Sequence, residues 1–307
     1  MADAVFRSAA GREQMAAHYD AWLAEVGHGW TSTVVDTRFG HTHLLVSGPE
    51  DGPPVMLVHG LNLHAVATVD LFGSLADTHR CYAVDVVGQP GRSAPTRPPK
   101  VDDSYGSWWS DLLDGLELDR AAFVGASFGG WCSLKAAKHL PERVSKVAVV
   151  APAGVVARIT PRLVLGFLAP LALYRLVPAG PLLEQMMAAM SSSGGRLPER
   201  WFEAVDLVMR HVRPDRQHWP MFSHGDFDDL EAPVYLAACG RDLFFPGEWL
   251  LERGSTLLPT LVQAELLPEA GHAPCGPGEL EQLRAQIGAF LGDPAPPAAR
   301  SAPDDPR

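Results

Sequence analysis

The chain has 307 residues, of which 47% are hydrophobic and 20% charged, with a formal net charge of −11. That length and apolar content suit one large α/β domain, with or without an insertion, and exclude a disordered chain. The acidic balance excludes nucleic acid as a partner, because phosphate binding needs clustered Lys and Arg.

In chain order, the first 25 residues carry charges throughout and contain no continuous apolar run, so no secretory signal is expected. Residues 9 to 26 space Met15, Tyr19, Trp22, Leu23 and Val26 as one face of a helix. Thr31 to Phe39 and Thr42 to Ser47 alternate apolar and polar residues, as a hairpin at a sheet edge does. The rhythm then becomes strand, helix, strand, helix. Val55–Val58 is a buried strand running into His59-Gly60-Leu61-Asn62, followed by a helix from about 64 to 77. Cys81–Val84 is the next strand, ending in Asp85, and a helix from about 102 to 118 presents Tyr105, Trp108, Trp109, Leu112 and Leu116 to a core. Ala121–Val124, a helix after Gly129, and Val147–Val150 continue the alternation, which implies a mostly parallel, doubly wound sheet with its ligand site at the carboxyl ends of the strands.

From Ala153 to about Glu231 the alternation stops. This stretch is rich in Leu, Met and Pro, has helical patches at 161–176, 181–191 and 198–211, and is too long for a loop inside a compact domain, so an inserted helical cap is expected. Leu163 to Val177, its most apolar part, is broken by Pro170 and Arg175 and too short to cross a bilayer. A soluble cytoplasmic protein with no membrane span follows. Strand 234–238, a helix from about 247 to 258, strand 262–267 and a helix from about 279 to 291 close the domain. The expected division is a core of 1–152 and 232–292, in which 1–29 is a helical extension, a cap of 153–231, and a disordered tail of 293–307.

Three segments carry chemistry. Gly125-Ala126-Ser127-Phe128-Gly129 lies between a strand and a helix, which lifts a five-residue match that is unspecific by itself. Small residues two positions either side of the serine let strand and helix approach closely. Strand 234–238 runs into Asp242, and strand 262–267 into Gly271-His272. Ser, Asp and His in that order can form a nucleophile, its base and an orienting acid: His272 takes the Ser127 proton, and Asp242 holds the His272 tautomer. Backbone N–H groups of Phe128 and Leu61 are the candidate donors for an oxyanion. Asp242 could instead cap the helix near Pro246, but the strand ending at Val150 carries no carboxylate at its tip. His59 reads as a structural turn residue, Asp85 as the residue that orders the loop after its strand, and His64, His211, His218 and His224 as solvated or cap-packing residues without metal spacing. Cys81, Cys132 and Cys239 fall in apolar strand or helix patterns, and Cys275, three residues after His272, reads as a bystander near the site.

With His59-Gly60, Asp85…Gly88…Gly91-x-Ser93, Gly125-x-Ser127-x-Gly129-Gly130, Asp242…Pro246 and Gly271-His272 in place, the chain resembles the α/β-hydrolase superfamily over roughly residues 30 to 292. The spacing from Asp85 to Ser93, one residue longer than usual, together with the Trp-rich helix and cap, is similar to bacterial carboxylesterases. The resemblance implies an α/β-hydrolase fold, mostly parallel central sheet with helices on both faces and an inserted helical cap. Two departures stand out: one residue separates Gly240 from Asp242 where relatives often have two, and Ala126 replaces the His or Leu often found before the nucleophile. The expected activity is hydrolysis of a hydrophobic carboxylic ester through an acyl-Ser127 intermediate, with no cofactor, no metal and a small hydrophobic ester-like substrate as the partner. The same triad also serves C–C bond hydrolases, lactonases, thioesterases, acyltransferases and cyclases, and a non-catalytic ligand-binding protein on this fold is the rival of another class.

Overall fold

The computed structural model describes residues 5–192, 195, 197–217, 219–274, 276 and 278–292. The expectations for His218, Cys275 and 293–307 lie outside the described residues. In chain order come α1 (Ala9–Val26), β1 (Thr31–Thr37), β2 (Gly40–Ser47), β3 (Pro54–Val58), α2 (Ala65–Phe72), β4 (Arg80–Val84), α3 (Ser104–Gly115), β5 (Ala121–Ala126), α4 (Phe128–His139) and β6 (Val144–Val150). The segment after β6 holds a single turn α5 (Pro161–Leu163), which passes through a π-helical turn (Val164–Leu168) into α6 (Ala169–Leu176), then α7 (Gly180–Met190) and α8 (Glu199–His211). β7 (Val234–Cys239), α9 (Gly247–Leu257), β8 (Leu261–Leu267) and α10 (Glu279–Gly292) resume the alternation.

One eight-stranded sheet runs in the order β1-β2-β4-β3-β5-β6-β7-β8. The β1–β2 and β2–β4 pairs are antiparallel and the other five are parallel. Every residue of β7, and all but one each of β3, β5 and β6, is buried, because helices cover both faces of a parallel sheet. On one face α3 lays down Tyr105, Trp108, Trp109, Leu112 and Leu113, all fully buried. Their indole N–H groups are satisfied, Trp108 donating to Thr42 Oγ1 at 2.9 Å and Trp109 to the Cys132 carbonyl at 2.9 Å. The helix expected over 64–77 ends at Phe72 and tightens into a 3₁₀ turn over Gly73–Asp77. The buried face of α1 is Gly11, Met15, His18, Tyr19 and Trp22, turned from the expected stripe toward His18, because α1 packs on α8 and α2 rather than on an apolar sheet alone.

Asp85 ends β4 and is fully buried. Its Oδ2 accepts from His43 Nδ1 at 2.9 Å, from the Tyr19 hydroxyl at 3.1 Å and from the Arg92 N–H at 3.1 Å, while Oδ1 accepts from the Ala65 N–H at 2.7 Å. Burial opposes the charge, but the His43 hydrogen bond, neighbouring imidazoles and the Ala65 N–H outweigh it and hold the carboxyl below its usual range. The same burial and the Asp85 charge push the Tyr19 phenol far up. A Cβ on Gly91 would stand 2.5 Å from Asp85 Oδ1, which is why glycine occupies that point of the loop.

Beside this carboxylate, His64 is buried rather than solvated, packed between Tyr19 at 4.7 Å and Trp22 at 5.3 Å between ring centroids. Neither of its ring nitrogens has a partner among the described residues, and burial lowers its pKa to about 3. A histidine in the unfolded chain takes up its proton near 6.5, so between those values the unfolded state binds more protons. Stability is therefore complete above about pH 6.5 and lost as pH falls toward 3, by up to about 1.4 kcal/mol per pH unit from this residue. Urea unfolding of wild type and His64→Phe between pH 7 and 5 is expected to show a shallower acid loss in the variant; parallel curves would refute this account.

Candidate active site

Ser127 closes β5 and caps α4 with φ 55° and ψ −115°, a left-handed conformation that a serine adopts only under constraint. Its N–H donates to the Val150 carbonyl at 2.9 Å, and its carbonyl accepts from the Trp131 N–H at 3.1 Å and the Ala153 N–H at 3.0 Å. The flanking glycines make the turn possible. A Cβ on Gly125 would stand 2.3 Å from the Gly129 carbonyl oxygen, and one on Gly129 would stand 2.0 Å from the Val58 oxygen, so strand, turn and helix touch backbone to backbone.

The structure brings Ser127, His272 and Asp242 into one hydrogen-bonded chain. Ser127 Oγ donates to His272 Nε2 at 3.0 Å, and His272 Nδ1 donates to Asp242 Oδ2 at 2.8 Å. Asp242 is not a helix cap: α9 starts after Pro246, and Asp242 Oδ1 accepts from the Phe244 and Phe245 N–H groups at 2.7 and 3.1 Å. That local turn satisfies one carboxylate oxygen and leaves the other for imidazole. The Asp242 side chain is fully shielded and that of His272 is 11% exposed, so their interaction is little screened. Phe244 and Phe245 stand edge-on to the His272 ring, at 4.8 and 5.5 Å between centroids.

Phe128 follows Ser127 in the chain, and the turn that holds Leu61 lies beside Ser127. Phe128 is the first residue of α4, where an N–H has no acceptor inside its own helix. Leu61 sits in the turn after β3, and a Cβ on Gly60 would stand 4.0 Å from Ser127 Cβ. His59 fixes this turn. Its Nε2 accepts from the Val86 N–H at 3.0 Å, which leaves the proton on Nδ1 to donate to the Gly60 carbonyl at 2.8 Å. Burial, working against that carbonyl, keeps its pKa low and the ring neutral. Because C=O and N–H point oppositely across a trans peptide, holding the Gly60 carbonyl toward His59 turns the Leu61 N–H away from it. Asn62, at φ 58°, is pinned by donating its N–H to Gln89 Oε1 at 2.9 Å.

Residues 55–279 match the alpha/beta hydrolase family. The chain belongs to that family. It is 26% identical over 249 residues to the uncharacterized carboxylesterase nap of Bacillus subtilis, covering 78% of this chain and 80% of the relative. Carboxylesterase YbfK of the same organism is 27% identical over 251 residues, 78% of this chain and 80% of that protein. The solved structure of naproxen esterase (carboxylesterase NP) from Bacillus subtilis superposes with a TM-score of 0.78 at 22% identity, over 91% of this chain and 98% of that one, a likeness of fold.

In this hydrolase a cavity of about 780 Å³ opens over Ser127 and His272. Leu63, Phe167, Leu171, Met187, Met190 and Leu197 are among its apolar walls, several of them from the helices between β6 and β7, and Ala126 also lines it. Those helices also reach the loop that carries His272. Ser191 bridges Ala273, the Ala273 N–H donates to the Met190 carbonyl at 3.0 Å, and Ser192 Oγ accepts from the Gly271 N–H at 3.2 Å. Ser192, Gln89 and the Phe244–Phe245 pair were not singled out from sequence. Ser192 and Gln89 act through backbone contacts across the chain that leave no spacing pattern, whereas the aromatic pair lies two and three residues after Asp242 and was available as a signal.

Since the Gly129 contact is to backbone that has no room to move, Gly129→Ala is expected to yield no soluble folded hydrolase. By contrast, Gly288→Ala in α10, whose Cβ would meet only Leu75 at 3.9 Å, is expected to stabilise by roughly 0.5–1 kcal/mol through helix propensity. Urea midpoints check both, and a normal midpoint for Gly129→Ala would contradict the contact analysis.

Proposed function

We propose that the protein is a serine carboxylesterase in which Ser127 is the nucleophile, His272 the general base and acid, and Asp242 the orienting acid. The observation that carries this reading is the continuous chain from Ser127 Oγ through both nitrogens of His272 to Asp242. The two carboxylesterases of Bacillus subtilis among its relatives support the same reaction class.

Ser127 Oγ attacks the ester carbonyl carbon as His272 Nε2 takes its proton, and Asp242 stabilises the imidazolium. The Phe244 and Phe245 N–H groups hold the Asp242 side chain in place through hydrogen bonds to Oδ1. The developing oxyanion is met by the N–H groups of Phe128 and Leu61, aided by the positive end of α4. Collapse of the tetrahedral species expels the alcohol, protonated by His272. Water, deprotonated by the same histidine, then releases the acid from acyl-Ser127. Each step needs only side chains, backbone donors and water. The helical segment 153–231 acts as a cap, and its apolar walls favour an ester with a hydrophobic acyl or alcohol portion, of a size that a cavity of about 780 Å³ admits.

Intact mass after exposure to a fluorophosphonate probe is expected to show one adduct on the wild type and none on Ser127→Ala. Hydrolysis of a short-chain nitrophenyl ester should fall about ten-thousand-fold or more in Ser127→Ala. Hydrolysis retained in that variant would overturn the mechanism. His59 is a positioning residue in this scheme. His59→Leu is expected to lower kcat about tenfold or more with KM little changed, and His59→Asn, which keeps a donor for the Gly60 carbonyl, should recover part of the loss. A change confined to KM would argue that the turn serves binding only.

A further inference from the structure

The cavity wall carries a charge pattern that cleavage of a neutral ester does not require. Among the described residues five arginines line it, Arg7, Arg175, Arg200, Arg213 and Arg284, against two carboxylates, Asp70 and Asp215. Both acids are already engaged. Arg200 forks onto Asp70 through Nε at 3.1 Å and Nη2 at 2.9 Å, and the Lys100 ammonium is paired with Asp215. The other four guanidiniums have no carboxylate in ion-pair reach among the described residues, in a chain whose net charge is −11. A cationic wall on an acidic protein is a local field opposed to the global one, and such a field gathers anions.

Two of these arginines are built as a pair. Residues 5–7 run antiparallel to 211–213, bridged at Phe6 and Val212. The Arg7 N–H donates to the His211 carbonyl at 2.8 Å and the Arg213 N–H to the Val5 carbonyl at 2.7 Å. Each side chain then turns its Nε–H onto the facing strand, Arg7 to the Val212 carbonyl at 3.1 Å and Arg213 to the Phe6 carbonyl at 3.0 Å. With Nε committed, each guanidinium is oriented, and its Nη groups, without an acceptor among the described residues, remain to donate to one.

We infer that Arg7 and Arg213 form an anion-binding subsite of the cavity, and that the physiological substrate is an ester bearing a carboxylate or phosphate besides the scissile group. The inference rests on the esterase reading and names the substrate class for the same site. Guanidinium geometry suits both oxyanions, which accept two N–H bonds from one fork.

The test compares kcat/KM on matched ester pairs for wild type, Arg7→Gln/Arg213→Gln and Arg7→Lys/Arg213→Lys. One arm uses nitrophenyl hemi-esters of dicarboxylic acids of increasing length against their methyl-capped neutral analogues. The other uses acyl esters of glycerol 3-phosphate against those of glycerol. The arm that responds tells carboxylate from phosphate. Wild type is expected to favour one anionic set by about tenfold or more, through KM, since hydrogen bonds to charged groups are stronger than neutral ones. The preference should shrink with added salt, fall to about one in the Gln pair and persist in part in the Lys pair. A wild-type ratio near one in both arms, or a preference that survives the Gln pair, would overturn the proposal. If the Gln pair does not fold, the salt series on the wild type decides, and a preference insensitive to salt would count against it. Turnover of neutral esters with a Ser127 adduct but no charge preference defeats this inference alone, whereas no turnover and no adduct defeats the esterase reading along with it.

Discussion

The site depends on one strained residue. Ser127 occupies a left-handed conformation that costs of order 1–3 kcal/mol for a side-chain-bearing residue. Such strain persists only where the surroundings over-determine it. Here they do so with three backbone hydrogen bonds, to Val150, Trp131 and Ala153, and with glycines whose missing side chains let β5, α4 and the end of β3 meet. The cost is offset by the buried parallel sheet, which supplies rigid strand ends on both sides. In return the hydroxyl stands clear of the fold, at the start of a helix and within hydrogen-bond distance of His272.

A second layer of organisation lies beneath the turn between β3 and α2. The loop after β4 does the holding: Asp85 takes the Ala65 N–H, the Val86 N–H reaches His59, and Gln89 takes the Asn62 N–H. Through Tyr19 and His43 the same carboxylate ties in α1 and β2. A buried carboxylate with four donors is satisfied, but losing any one of them would leave charge in a low-dielectric interior. The proposed Leu61 donor is thus positioned by residues that never touch a substrate. A neutral His59 suits this role, because a protonated ring could not accept from Val86.

Much of this arrangement was legible in the sequence because its determinants are local. Alternation of buried strands and amphipathic helices gave the sheet, and Gly125, Ser127 and Gly129 gave the turn, since each glycine answers a backbone contact within a few residues or across one strand pair. The break in alternation after β6 marked the inserted helices, whose observed spans fall close to the helical patches. What stayed hidden were interactions between segments distant in the chain. His64 read as solvated or cap-packing and is buried against α1 instead, because nothing in its neighbourhood announces that Tyr19 and Trp22 arrive from another helix. Ser192 supports the His272 loop through a hydroxyl that has no signature of its own. The arginines of the cavity wall are scattered from position 7 to position 284 and converge only in three dimensions.

The pairing of residues 5–7 with 211–213 also bears on the order in which the molecule assembles. Arg7 and Val212 are 205 positions apart, so their contact closes a very long loop. Closure entropy makes such contacts unfavourable until the intervening chain is already compact. The sheet and its strand-end turns can form from pairings between neighbouring βα units, whereas this side of the cavity must wait for the first and last thirds of the chain to meet. In a refolding experiment the serine turn, which closes within one βα unit, would therefore precede the surface that selects what reaches it.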